Sequence, residues 1–250
     1  MDASVHLADV LRAQILDGCF TVGEPLPSEA ELRITGRAGR NVVRAALDLL
    51  RRDGFITRRP GRGTIVCSQR VPLRLDRPTG ISGSFDGKGH RVVTRFRSVD
   101  IVRPIDSVAS RLRIEPDQSC LVVDYETVVD DRPYAVATSY LPIGRCGRRF
   151  DTDLAGHWLG DWFQVLETLG FELGGLELRM EAAVADETIA DVLGVAVGSP
   201  IFRFERLLSD GDGRPLDYGF SRCLGTAVVI DMPVTAIGQR PDGPEAADPT

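Results

Sequence analysis

The first segment of the chain alternates between two kinds of apolar spacing. Leu7, Val10, Leu11 and Ile15 recur on one face of a helix that ends at Gly18, and Val43, Ala46, Leu47 and Leu50 repeat that stripe further on. Between them, Ser28 precedes Glu31 by three residues in Pro27-Ser28-Glu29-Ala30-Glu31-Leu32. A serine there can cap a helix while the glutamate reaches back to the cap's own backbone N–H. The spacing then shortens. Phe55-Ile56-Thr57-Arg58 and Thr64-Ile65-Val66 read as two short strands joined through Pro60-Gly61. Three helices and a hairpin are predicted, in that order.

The second segment carries one pattern twice. A short helix begins at Asp106, an apolar strand runs Cys120 to Val129, a turn falls at Asp130-Asp131-Arg132-Pro133, and a return strand follows through Tyr134–Leu141. The same series recurs with a helix at Asp186, a strand Ile201 to Leu208, a turn at Asp210–Pro215, and a return strand Leu216 to Cys223. Aligning Asp130 with Asp210 pairs Ser119 with Ser199, and a two-residue insertion in the turn then pairs Ser139 with Ser221. Internal duplication accounts for this. Each unit is a helix plus a hairpin, so two of them predict a mostly antiparallel sheet with helices on one side. Trp158–Leu166, ended by Gly170, is predicted as an amphipathic helix covering that sheet. The chain is thus read as α+β.

Polar chemistry gives the first segment a role. Arg40, Arg44 and Arg51 lie off the apolar stripe of their helix, free to meet a phosphate or a guanine, and Arg58-Arg59-Pro60-Gly61-Arg62-Gly63-Thr64 makes the hairpin turn basic. Helix, turn, helix and hairpin form a winged helix-turn-helix. From Val5 to Cys67 the segment resembles the DNA-binding domain of the GntR family of bacterial transcriptional regulators. The resemblance implies that Arg40, Asn41, Val42 and Arg44 contact bases or phosphates, with Arg offering a bidentate fork to guanine. It also implies that Gly61 lets the wing's backbone approach the minor groove, with Arg62 and Thr64 flanking it. Ser28, Arg40, Asn41, Val42, Arg44, Gly61, Arg62, Gly63 and Thr64 form the candidate DNA-contacting set. Two departures from the family pattern are Ala30, where many members have Arg, and Gly36, where a core leucine is usual; a looser turn is expected.

The duplicated segment resembles the UTRA domain of the HutC-type branch of that family, whose fold is similar to chorismate lyase, Thr138–Pro142 matching best. The resemblance implies a homodimer and a small cytosolic metabolite held between the repeats. Members that bind sugar phosphates present two Arg, a Glu and a Tyr where this chain has Tyr125, Thr127, Ala137 and Cys223. A strongly anionic effector would lack its counter-charges. Tyr125, Thr127, Ser139, Glu205, Asp217 and Ser221 remain as candidate effector contacts, with Arg95 and Arg97 on the entering strand.

Charge sharpens this division. Residues 1–70 carry 11 Arg against 8 Asp and Glu, net +3, whereas residues 71–250 carry 19 basic against 28 acidic, net -9. Phosphate contact is therefore expected at the first segment. Residues 1–70 are assigned to the winged helix-turn-helix, 71–90 to a Gly- and Pro-rich linker, 91–237 to the effector and dimerisation domain, and 238–250 to a disordered tail. Five cysteines without a C-x-x-C pair read as reduced thiols, and no apolar run is long enough to span a membrane, so a cytoplasmic protein is expected. Gly83–Gly89 lacks the residues of a phosphate loop, Asp210–Gly213 lacks the later ligands of a calcium loop, and His6, His90 and His157 are scattered. No cofactor, metal or catalytic set is expected. The reading is a ligand-responsive repressor acting on double-stranded operator DNA. Its alternatives are a chorismate-lyase-like enzyme with a DNA-binding head, and a regulator that has lost ligand sensing.

Overall fold

The computed structural model describes residues 2–67, 70–74, 90–146 and 157–232. The head begins with α1 (Ala3–Leu16), α2 (Glu29–Thr35) and α3 (Arg40–Arg52), followed by the antiparallel pair β1 (Ile56–Arg59) and β2 (Gly63–Val66). Its core joins Leu7, Leu11 and Ile15 of α1, Leu32 of α2, Val43, Ala46 and Leu50 of α3, and Phe55. Val10 is 41% exposed and lies outside this core; Ala8 takes its place on the buried face.

Ser28 caps α2 as its spacing requires. Its Oγ accepts from the Glu31 N–H and its own N–H donates to Glu31 Oε2 at 2.7 Å. The turn that follows is not loose. Gly36 N–H donates to Leu32 O at 2.9 Å, and Arg37 adopts a left-handed φ of 47°. A Cβ on Gly36 would sit 2.8 Å from the Leu32 carbonyl oxygen and 3.2 Å from Leu7 Cδ1, so the usual leucine cannot fit this backbone.

The second domain is built on one seven-stranded antiparallel sheet in the order β7-β4-β5-β6-β10-β9-β8. Its strands are β4 (Val92–Val102), β5 (Cys120–Val129), β6 (Arg132–Pro142), β7 (His157–Leu159), β8 (Leu173–Val184), β9 (Pro200–Asp210) and β10 (Pro215–Leu224). The two repeats meet where β6 pairs with β10, Tyr140 opposite Tyr218 and Ala137 opposite Ser221. Helix α4 (Asp106–Leu112) packs through Val108 and Leu112 against Leu207 and Tyr218 of the other repeat. Helix α7 (Glu187–Leu193) likewise packs against Val136 of the first. The short α5 (Ile143–Cys146) follows β6.

Helices lie on both faces, not on one. The face opposite α4 and α7 is covered at one end by α6 (Trp162–Thr168), whose Trp162, Val165 and Leu166 meet Leu121, Val123 and Leu141. At the other end lies β11 (Val228–Asp231), paired in parallel with β3 (Val71–Arg74). The helix predicted from Trp158 begins only at Trp162, because Trp158 and Leu159 pair with β4 and Gly160 has φ 92°. Residues 71–74, read as linker, are a strand; the rest of that linker before residue 90 and the tail 238–250 lie outside the described residues.

The repeats superpose one residue away from the alignment through Asp130 and Asp210. Leu112 and Leu193 are the last residues of equivalent helices, and Arg113 and Gly194 are equivalent left-handed caps. Thr127 pairs with Ala135 before a bulge, as Leu208 pairs with Asp217 before its own. Tyr125 is therefore the counterpart of Arg206, not of Glu205. A slip of one residue in a strand moves a side chain to the other face.

Candidate functional site

In the head, the capped start of α2, the side of α3 and the wing enclose a groove of about 550 Å³. Ser28, Arg44, Arg62, Gly63 and Thr64 from the candidate set line it, together with Glu29, Arg51 and Arg58. Arg40 and Asn41 are exposed in the first turn of α3, where Gly39 is the N-cap. Val42 is half-buried and packs on the head core. Gly61 sits at the wing's tip with φ 74°. Helix α3 thus buries Val43, Ala46 and Leu50 and leaves its arginines in solvent.

Arg44 is not loose. Its Nε donates to Glu29 Oε2 at 3.1 Å, across the groove between α2 and α3. Both side chains stay more than a third exposed, so the pair contributes little to stability. Its effect is geometric: the terminal guanidinium nitrogens remain available as a fork. Glu29 was missed in the sequence because charge pairing between separate helices has no local spacing. Arg70, the residue before β3, packs back on the head: its Nη2 donates to Asp53 O at 2.7 Å and its guanidinium lies 4.1 Å from the Phe55 ring centroid.

In the second domain, the face between α6 and the β3–β11 pair carries two apolar clusters. One gathers round Leu121, Val123, Trp162 and Leu166, the other round Val92, Val129, Phe204 and Cys223. A belt of small or polar residues separates them: Thr94, Thr127, Ala137, Ser139, Gly219 and Ser221, in register on adjoining strands. Tyr125, Thr127, Ser139, Asp217 and Ser221 of the candidate effector set share this face. Arg95, Arg97 and Glu205 do not. Arg95 and Arg97 turn to Glu126 on the opposite face, Arg95 at 3.3 Å. Glu205 is there too, accepting from Arg179 at 2.6 Å and from the Tyr218 hydroxyl at 2.9 Å.

The residue at the centre of the belt is Arg206, absent from the sequence reading because the repeat alignment placed Glu205 there. Its guanidinium reaches from β9 across β10, donating to Asp217 Oδ2 at 2.8 Å, Tyr125 Oη at 2.9 Å and Ser139 Oγ at 2.5 Å. Gly219 makes that crossing possible, since a Cβ there would lie 2.6 Å from the guanidinium carbon. Burial opposes the charge on Arg206 most strongly, but Asp217 and Tyr125 together outweigh it and raise its pKa. Burial likewise pushes the Tyr125 hydroxyl up to about 12, so it is a neutral donor or acceptor. The Tyr125 ring stacks on Trp162 at 4.7 Å. Two buried polar atoms at this site, Asp217 Oδ1 and Trp162 Nε1, have no hydrogen-bond partner among the described residues.

The Asp210–Gly213 motif is a structural turn, and Gly83–Gly89 lies outside the described residues. The Asp210 carboxylate accepts the N–H groups of Asp212 and Arg214 in the hairpin turn. Among the described residues no cluster of His, Cys, Asp and Glu has metal-binding geometry, and no helix is long and apolar enough to cross a membrane.

Comparison with known proteins agrees with this geometry. Residues 3–66 match the family model for bacterial regulatory proteins of the gntR family, and residues 87–228 match the UTRA domain. The chain is 30% identical over 227 residues to the HTH-type transcriptional regulator Rv0792c of Mycobacterium tuberculosis, spanning 86% of this chain and 79% of that one. It is 24% identical over 201 residues to the HTH-type transcriptional repressor NagR of Bacillus subtilis, spanning 80% and 82%. The crystal structure of PhnF from Mycobacterium smegmatis shares the fold, with a TM-score of 0.66 over 92% of this chain and 99% of that one, at 22% identity. These relatives are named as transcriptional regulators, which is consistent with a regulator and not an enzyme. A winged head with an exposed arginine helix, joined to a duplicated sheet domain, makes this chain a member of the GntR family of bacterial transcriptional regulators, of the kind that carries a UTRA domain.

Proposed function

We propose that the protein is a cytoplasmic, homodimeric repressor whose hold on operator DNA is set by a small metabolite bound in the second domain. The observation that carries the reading is the polar belt between two apolar clusters on one sheet face, at the seam of the two repeats. A packed core has no need of buried Thr94, Thr127, Ser139, Arg206 and Asp217 in one strip, and polar groups converging between apolar walls are the usual make-up of a ligand site. The two unpartnered polar atoms count against a domain that has lost sensing. Tyr125, Thr127, Ser139, Asp217 and Ser221 line the effector site on this reading, and Arg95, Arg97 and Glu205 lie outside it.

The head reads DNA through Arg40 and Asn41 at the start of α3, Arg44 beside them, and Gly61, Arg62, Gly63 and Thr64 at the wing. Ser28 holds the start of α2 against the same groove. The repressor role follows the relative NagR, named as a repressor. Two heads of a dimer would meet two half-sites about one helical turn apart. Footprinting on the DNA flanking the gene, with sedimentation of the full chain, tests this. A monomer protecting a single half-site would overturn it, and so would an operator affinity that no cell extract of small metabolites alters.

A further inference from the structure

Resting on the effector site just proposed, the charge inventory of the belt names what it accepts. Arg206 is the one buried basic residue among the described residues. Its side chain is 7% exposed and that of Asp217 is 0%, so this is an ion pair withdrawn from water, where charges are screened much less than at the surface. Asp217 takes Nε, while Tyr125 and Ser139 take one terminal nitrogen. The two arginines that the sequence suggested for this site offer no relief, because Arg95 and Arg97 are held by Glu126 on the other face. Beyond the other terminal nitrogen of Arg206, which none of those three bonds uses, the site leaves a ligand two buried atoms with fixed roles. Asp217 Oδ1 can only accept and Trp162 Nε1 can only donate.

We propose that Asp217 is a built-in anion occupying the seat that Arg206 would otherwise offer to a phosphate, so that the effector presents to this site a non-anionic hydroxyl or ammonium group. That group donates to Asp217 Oδ1, and a ligand oxygen accepts from Trp162 Nε1. A phosphoryl group in the same place would set two anions against one guanidinium in a region that water does not screen. It would also leave Oδ1 facing acceptor oxygens.

The test uses the full chain, read by thermal melting and by the fluorescence of its two tryptophans, Trp158 and the Trp162 stacked on Tyr125. The probes are inorganic phosphate, glucosamine and glucosamine 6-phosphate. Phosphate is expected to leave the wild-type melt unchanged. Asp217→Asn, which keeps the shape and removes the charge, is expected to gain a rise of roughly 5–10 °C with phosphate at about 100 times its Kd. Adding Arg206→Gln to that variant should remove the rise. A folded Asp217→Asn chain that ignores phosphate overturns the proposal, because Arg206 would then not be a blocked anion seat. Should Asp217→Asn not fold, the wild type decides. A melt raised more by glucosamine 6-phosphate than by glucosamine, and lost in Arg206→Gln, overturns the proposal, whereas no preference for the phosphorylated form supports it. Release of DNA is scored separately. A phosphorylated metabolite that releases DNA through Arg206 refutes the ligand class and leaves the effector reading standing, while no release by any metabolite refutes the reading itself.

Discussion

The head and the body place their chemistry on opposite sides of the core. In the head, α3 turns Val43, Ala46 and Leu50 inward at 0% exposure, and its arginines stand in solvent with at most one exposed partner. In the body, Arg206, Asp217, Tyr125 and Ser139 are themselves the interior of the sheet face. On the proposed function, the difference follows from the ligands. DNA is larger than the head and comes to its surface, whereas a metabolite must be surrounded. Stability and binding are thus separable in the head and fused in the body, which is a comparison that substitutions can break.

The largest effect is expected in the body. Asp217→Asn leaves Arg206 buried without its counter-ion, and breaking one side of a buried ion pair typically costs about 3–5 kcal/mol. Chemical denaturation of the full chain measures this. A loss below about 1 kcal/mol would mean that water reaches the pair and that the body behaves like the head.

The same contrast explains what could be read from sequence. The head was legible because its signals are local: a cap and a glutamate three residues on, apolar stripes at helical spacing, and a basic turn between short strands. Its misreadings were packing matters, such as exposed Val10 and the tight approach at Gly36, which depends on Leu7 from another helix. In the body, the repeat was visible but its register was not. Matching Asp130 to Asp210 gave weight to turn chemistry, while the true equivalence runs through Leu112 and Leu193 and then Tyr125 and Arg206. That single slip sent Glu205 into the candidate set and left Arg206 out. Aligning the repeats on the buried helix positions Ala109 with Ala190 would have corrected it. Arg95 and Arg97 share a face by ordinary strand alternation, but the bulge between Phe96 and Ser98 turns Ser98 to Asp124 on the face opposite Phe96, which periodicity alone does not announce.

Next in size is Arg40→Ala. Losing bidentate readout is expected to weaken specific binding by about 1–3 kcal/mol and relax one base position, while stability changes by less than about 0.5 kcal/mol. Titrations on operator and scrambled DNA, paired with denaturation, check both halves. Equal loss on both DNAs removes Arg40 from base reading, and a large stability loss would erase the contrast between the domains.

Ser28→Ala should fall between the two regions in character, since the cap is structural but lies on the binding groove. Removing an N-cap costs about 1 kcal/mol. The hydrogen bonds from Ser28 hold the Glu31 carboxyl below its ordinary pKa. A depressed carboxylate contributes stability above its unfolded pKa and loses it as pH falls through the folded one. The difference in stability between wild type and Ser28→Ala should therefore narrow as the solution is acidified below the usual carboxylate range. A gap that stays constant would show that Glu31 takes no part in the cap.

The smallest stability change and the sharpest functional one are expected for Glu29→Gln. The Glu29–Arg44 pair is exposed, so its loss should cost between about 0 and 1 kcal/mol. On DNA, two consequences oppose each other. Removing a carboxylate from a groove lined by Arg44, Arg51, Arg58 and Arg62 makes the surface more attractive to any phosphate backbone. Removing the charge that grips Arg44 Nε frees the guanidinium to rotate, so that it holds its fork less well against a single base. Affinity for scrambled DNA should rise while the ratio of specific to nonspecific affinity falls, and the salt dependence should steepen for both. Titrations at several salt concentrations separate these terms. If operator and scrambled DNA gain equally, Glu29 is only a nearby charge; if the ratio falls, the ion pair that contributes little to folding is what aims Arg44, and function in the head rests on geometry that its stability does not register.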